Sequence, residues 1–220
     1  VEQADPSGLL AIGGDLELDS LLLAYSNGIF PWPVKKDYPL TWFAPPERPL
    51  LFVNEFRCPK RLQRYYNNTK LTLCFNRNFH KVIDQCAHIP RGKHSESWIT
   101  AEMIEGYSGL YEAGFAYSVE CYDGEQLVGG VYGVVIGGMV TAESMFYTKP
   151  NASKLCLVHL VEHLRERGVE WIDVQDIHPF SERLGVRTVP RDEFMKMLRG
   201  ALEQNMRAFT GVQNVTRLVP

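Results

Sequence analysis

Two carboxylates and an amide stand where such groups are costly to leave without partners. Glu143 lies in Thr141-Ala142-Glu143-Ser144-Met145-Phe146, and Asp173 and Gln175 lie in Trp171-Ile172-Asp173-Val174-Gln175. A charge in so apolar a strand either faces water on an alternating edge or is held by partners, and a held one is a candidate for chemistry. Asp173 and Gln175 are two apart, which in a continuous strand puts both on one face. Carboxylates beside an amide can orient a nucleophile and take up one of its protons. Other chemistries find less support. His159 and His163 are four apart but lack an obvious third ligand, so no metal site is expected. Ser144, Ser153 and Ser181 sit in no GxSxG elbow.

The elements that must carry these groups follow from the hydrophobic pattern. Leu18, Leu21, Leu22 and Tyr25 repeat at helical spacing after Gly13-Gly14-Asp15, and Asn27-Gly28 closes that helix. Two proline-stiffened aromatic segments follow, Phe30-Pro31-Trp32-Pro33 and Trp42-Phe43-Ala44-Pro45-Pro46. Cys58 to Tyr66 is expected to be a helix opened by Pro59, with Lys60, Arg61 and Arg64 outward around Leu62. From Ser97 the pattern predicts a helix through Met103, Tyr107, Leu110 and Tyr111, then strands near 115–122, 126–136 and 138–147. A helix from Ala152 to Arg167, the strand 171–175, and helices near 179–185 and 190–204 complete the chain.

Composition narrows the classes further. The 220 residues are 45% hydrophobic and 22% charged, an ordinary globular balance. The longest uncharged run, Gln126 to Ala142, is interrupted by five glycines and suits hairpin strands rather than a membrane span. No secretory signal is read, and the spacing of Cys58, Cys74, Cys86, Cys121 and Cys156 builds no local redox pair or zinc ribbon, so reduced thiols in a cytoplasmic protein are expected. The net charge of −3 conceals a segregation: residues 57–95 hold nine basic side chains against Asp84 alone. Such a stretch in an acidic chain is a candidate phosphate-binding patch.

The expected fold class is α+β, with a small N-terminal α/β domain over 1–95 and a GNAT-like domain, of the acyl-CoA N-acyltransferase type, over 96–220. The order helix, three antiparallel strands, helix, strand, helix is the core of that fold. An acetyl-CoA enzyme of this type enters the helix after its third strand through a glycine-rich loop whose N–H groups hold the pyrophosphate. Here Tyr147-Thr148-Lys149-Pro150-Asn151-Ala152-Ser153-Lys154 has no glycine, and Pro150 has no N–H. The frame is that of an acyltransferase whose acyl carrier is something other than CoA.

Eight segments in order carry a more specific likeness: 8–16, 25–32, 42–45, Ser97-Trp98-Ile99-Thr100, Leu127 to Gly133, Glu143-Ser144-Met145-Phe146, Asn151-Ala152-Ser153-Lys154 and Ile172-Asp173-Val174-Gln175. The chain closely resembles the bacterial leucyl/phenylalanyl-tRNA protein transferases. The resemblance implies an enzyme that moves leucine or phenylalanine, and possibly methionine, from aminoacyl-tRNA to proteins beginning with arginine or lysine, tagging them for degradation. It implies no cofactor, no metal and no membrane partner. Ala142, Tyr147 and Tyr117 stand where the family usually has Gly, Ser and His.

By the same resemblance Asp173 orients Gln175, whose carbonyl oxygen receives a hydrogen bond from the attacking amine, and Glu143 helps hold the cationic first residue of the acceptor. Val131, Met145, Leu157 and Ile172 are the expected walls of the aminoacyl slot. Trp32 and Trp98 would contact the terminal adenosine, because indole faces stack on bases. Ser144, Asn151, Ser153 and Lys154, with Lys60, Arg61 and Arg64, are expected on the tRNA side. The alternatives are an acetyl-CoA-dependent N-acetyltransferase of a peptide or small molecule, and a catalytically idle RNA-binding module in which Asp173 and Gln175 are expendable.

Overall fold

The computed structural model describes residues 1–33, 38–90, 97–177, 179–204 and 209. The first sheet is small: β1 (Leu9–Ile12) and β2 (Phe30–Pro31) flank β3 (Thr41–Phe43), all antiparallel. Between β1 and β2 runs α1 (Leu18–Ser26), which buries Leu21, Ala24 and Tyr25, the face its apolar spacing predicts. Gly28 then turns the chain at a φ of 72°, where an added Cβ would lie 2.9 Å from Met195 Sδ and 3.0 Å from the Phe194 ring. Only glycine satisfies both the conformation and the space.

β4 (Glu47–Phe52) is the centre of a second sheet, and α2 (Lys60–Asn68) follows it. β5 (Thr72–Phe75), α3 (Phe79–His88) and α4 (Ala101–Glu112) lead into the long hairpin of β6 (Ala116–Asp123) and β7 (Gln126–Ile136). β8 (Met139–Val140) and β9 (Ser144–Tyr147) both return along β7, giving a five-stranded sheet with β5 at one edge. After α5 (Ala152–Glu166), β10 (Trp171–Asp173) pairs with β4. α6 (Pro179–Arg183), β11 (Arg187–Pro190), on the other side of β4, and α7 (Arg191–Leu202) complete the described elements.

The main sheet is covered on both faces. α5 packs its Leu155, Leu157, Val158, Leu160, Val161 and Leu164 on one face, and α3 and α4 cover the other. Each such leucine contributes about 1.5–3 kcal/mol when fully buried. The glycines of β7 set how closely these layers approach. A Cβ on Gly129 would fall 2.6 Å from Ala152 of α5, and one on Gly130 would fall 2.8 Å from Phe146 and 3.0 Å from Val82 of α3.

Two departures from the sequence pattern shape the site. The strand expected over 138–147 is divided, because Val135 pairs with Val140 whereas Tyr132 pairs with Ser144. One extra residue therefore sits between these pairs, a bulge that re-aims the side chains around Glu143. The strand expected over 171–175 stops at Asp173, and Gln175 adopts a φ of 60°. The sheets also run across the expected division at residue 95: β5 pairs with β6, and β4 with β10 and β11. Charge segregation is a property of exposed side chains, whereas strand pairing follows buried ones, so the two need not share a boundary. Residues 91–96 themselves lie outside the described residues.

Gly133→Ala is expected to destabilise the fold by about 1–3 kcal/mol, since its Cβ would lie 2.0 Å from the Thr141 carbonyl oxygen. Gly109→Ala, on an open helical position of α4, is expected to stabilise by up to about 1 kcal/mol. Denaturant titration of both variants checks the pair.

Candidate active site

A parallel bridge between Thr141 and Asp173 brings the bulged segment alongside β10, and the Ala142 N–H donates to the Asp173 carbonyl at 2.8 Å. Two residues further on, in equal steps from that bridge, stand Glu143 and Gln175. Their side chains meet, with Gln175 Nε2 donating to Glu143 Oε1 at 2.8 Å. The left-handed backbone at Gln175 is held by its own N–H, which donates to Asp173 Oδ1 at 3.1 Å. Gln175 therefore leaves the face of β10 on which Asp173 lies. Asp173 orients it through the main chain instead of beside it on a shared strand face.

Asp173 has a partner that the sequence reasoning missed. Arg48 of β4 is 2% exposed and Asp173 1% exposed. Nε of Arg48 lies 2.9 Å from each carboxylate oxygen, and Nη2 lies 2.6 Å from Oδ2. The remaining donor, Nη1, reaches the Gly28 carbonyl at 3.0 Å, and the guanidinium lies 4.5 Å and 4.7 Å from the centroids of Phe30 and Phe194. This is the bidentate geometry that a buried pair requires to offset the loss of water. The available signal was Arg48 itself, a cation directly before Pro49-Leu50-Leu51, the same anomaly that marked Glu143.

Glu143 is 9% exposed and enclosed by donors. Thr141 Oγ1 donates to its Oε1 at 2.6 Å and the Tyr107 hydroxyl to its Oε2 at 3.2 Å, while Tyr107 and Tyr25 share a 2.6 Å hydroxyl contact. Burial pushes the Glu143 carboxyl up to about 6; the hydrogen bonds from Thr141, Tyr25 and Tyr107 work against that rise, and the Asp173 charge adds to it. Three internal donors, on Thr141, Tyr107 and Gln175, already bond this carboxylate. Glu143 fixes the Gln175 amide: with Nε2 committed to Glu143, the Gln175 carbonyl is the acceptor left for a ligand.

Gln175 and Glu143 border a cavity of about 230 Å³. Val131, Met145 and Leu157 line it as expected, with Leu51, Leu184 and Val186. Ile172 does not; it is fully buried in the core. Trp32, Trp98 and Ser144 also border the cavity, and Trp32 is 38% exposed. Asn151 and Ser153 are absent from the lining. Asn151 is the exposed, left-handed residue that precedes α5, and Ser153 is buried where α5 meets Gly129. Lys154 stands next to the cavity, its Nζ 5.1 Å from the centroid of the lining residue Phe180.

Lys60, Arg61 and Arg64 are exposed on α2, away from the cavity lining, while Leu62 and Tyr66 of the same helix are buried. Tyr66 ties α2 to α5 by a 2.9 Å contact with His159 Nδ1. Arg91 and Lys93 of the basic stretch lie outside the described residues. His163 stacks with Phe209 and lies tilted against Phe75, and among the described residues no group of three His, Cys, Asp or Glu is placed to hold a metal.

Family models for the leucyl/phenylalanyl-tRNA protein transferase and for its N-terminal domain match residues 50–199 and 14–46. The chain belongs to that family. It is 44% identical over 201 residues to the leucyl/phenylalanyl-tRNA–protein transferase of Anaeromyxobacter dehalogenans, covering 91% of this chain and 86% of the relative. The corresponding protein of Pseudoalteromonas atlantica is 43% identical over 202 residues, covering 92% and 86%. Among solved structures, FemX shares the fold with a TM-score of 0.51 and 12% identity, over 78% of this chain and 66% of that one. The GNAT-like frame expected from the element order is thus the frame observed. The two transferase-family models adjoin between residues 46 and 50, at the start of β4.

Two outcomes are expected from this geometry. Arg48→Ala strands the buried Asp173 carboxylate and is expected to cost about 3–5 kcal/mol in a denaturant melt, with Arg48→Lys restoring only part because it lacks the fork. In carboxyl-carbon NMR, Glu143 is expected to titrate near 6, and Tyr107→Phe to raise that midpoint, because the lost hydroxyl favoured the charged form.

Proposed function

We propose that the protein transfers leucine or phenylalanine from aminoacyl-tRNA to the α-amino group of polypeptides that begin with arginine or lysine, marking them for degradation. The observation that carries this reading is the Gln175 amide, fixed by Glu143 and by Asp173 at the edge of an apolar cavity. The donor is an activated ester and needs no further activation by a cofactor. An α-amine has an ordinary pKa of about 7.7–8.0, so a useful fraction is already neutral near pH 7. What remains is to bring that nitrogen against the ester carbonyl and to accept a hydrogen bond from it during attack. The Gln175 carbonyl suits the second task. The new C–N bond forms as the ester C–O bond breaks, and the proton that the nitrogen sheds ends on the released ribose hydroxyl.

Val131, Met145 and Leu157 offer an apolar seat for the side chain of the donor amino acid. Discrimination there follows from size, at about 1–3 kcal/mol per methylene, which makes methionine a tolerated donor. Trp32 and Trp98 offer indole faces to the terminal adenosine, and Lys154 a charge next to the same cavity. The exposed cations of α2 would track the tRNA backbone. A broader cleft of about 1050 Å³ between the segment after β1 and α4 is lined by Asp15, Glu17, Glu102, Glu105 and Glu112, a surface that repels phosphate. A tRNA substrate places the reaction in the cytoplasm, and among the described residues no helix is long and apolar enough to cross a membrane.

The protein incubated with a peptide beginning with arginine, plus either leucyl-tRNA or acetyl-CoA, is expected to consume only the tRNA donor; acetylation would overturn the proposal. Gln175→Ala is expected to lower kcat by about 10²-fold or more. Reversing Lys60, Arg61 and Arg64 is expected to flatten the salt dependence of tRNA binding by about 2–3 in the slope of log affinity against log salt.

A further inference from the structure

We propose that Asp176 is the residue that selects a cationic acceptor, pairing with the guanidinium or ammonium of the acceptor's first side chain. The inference rests on the transfer reading above and names a determinant of its specificity. A cationic side chain that must be held beside the reacting amine needs an anion at the cavity. Three carboxylates stand near enough to be considered, and two are already committed. Asp173 is enclosed by Arg48, and Glu143 by Thr141, Gln175 and Tyr107. Asp176 differs from both, since it is exposed and lines the same cavity as Gln175. Its Oδ1 accepts the Ile177 N–H at 2.8 Å, which orients the carboxylate locally.

The backbone places Asp176 for this task. The left-handed turn at Gln175 ends β10, and the Asp176 N–H closes the turn on the Val174 carbonyl at 2.6 Å. Adjacent residues have Cα atoms about 3.8 Å apart, so an acceptor whose amine meets the Gln175 carbonyl has its own side chain within the neighbourhood of Asp176. Lys154, a cation next to the cavity, sits over Phe180. Charge is thereby divided, with Lys154 suited to an anionic donor backbone and Asp176 to a cationic acceptor.

The test compares the wild-type chain with Asp176→Asn, using leucyl-tRNA and a peptide beginning with arginine. The expected result is a KM for the peptide raised about tenfold, the equivalent of roughly 1.4 kcal/mol, with kcat and the affinity for leucyl-tRNA unchanged. A peptide beginning with citrulline, the neutral analogue of arginine, is expected to compete equally well against both proteins. Asp176→Arg is expected to raise the KM further. An unchanged KM in Asp176→Asn, or equal weakening of the arginine and citrulline peptides, would overturn the assignment. A wild-type chain that fails to transfer leucine at all would overturn the transfer reading and this inference with it, an outcome distinct from a variant that behaves like wild type.

Discussion

The ion pair between Arg48 and Asp173 is the constraint on which the remaining geometry depends. A carboxylate removed from water is tolerable only when its lone pairs are taken by well-placed donors, and Arg48 meets that need with two nitrogens on Asp173 and a third on Gly28. The pair therefore ties together the turn after α1, the centre of β4 and the end of β10, with Phe30 and Phe194 closing over the guanidinium. Asp173 in turn fixes the left-handed residue beside it and, through its main chain, the segment that carries Glu143. A single charge pair in the interior thus sets the position of an amide at the surface of the cavity, although neither partner lines that cavity.

Much of this was legible in the residues themselves. Helical spacing located α1, α4, α5 and α7, and glycine-marked turns located the β6–β7 hairpin, because local periodicity and turn chemistry act over a few residues. Glu143 and Asp173 were legible as charges in apolar runs. Their partners were not, since Arg48 lies 125 residues from Asp173 and no local pattern connects them. The bulge at 141–143 and the positive φ of Gln175 were equally hidden, for each depends on how two strands meet. Ile172, expected as a cavity wall by its place in a motif, is fully buried and does not line this cavity, because membership of a motif does not say which side chain faces a void. Asp176 passed unnoticed because an exposed aspartate in a turn is ordinary in sequence.

A net charge of −3 gives a poor account of this surface. The exposed cations Lys60, Arg61 and Arg64 sit together on α2, and the carboxylates of the cleft sit beside α4, so the local field differs in sign between the two. With a Debye length of about 8 Å at physiological salt, each face acts largely on what lies directly against it. An anionic and a cationic ligand would then each meet a local field that the net charge does not reveal.

The glycines of β7 have an evolutionary corollary. Because Gly129 carries no side chain, the Ala152 Cβ and the main chain at the start of α5 rest directly on the sheet, so the spacing between β7, which carries Val131, and α5, which carries Leu157, is set at a contact that leaves almost nothing to trim. Descendants of this protein with a roomier cavity would have to shorten the side chains facing it, at positions such as Met145 or Leu157. Those with a tighter one would fill it from the same positions, while the glycines stayed as they are.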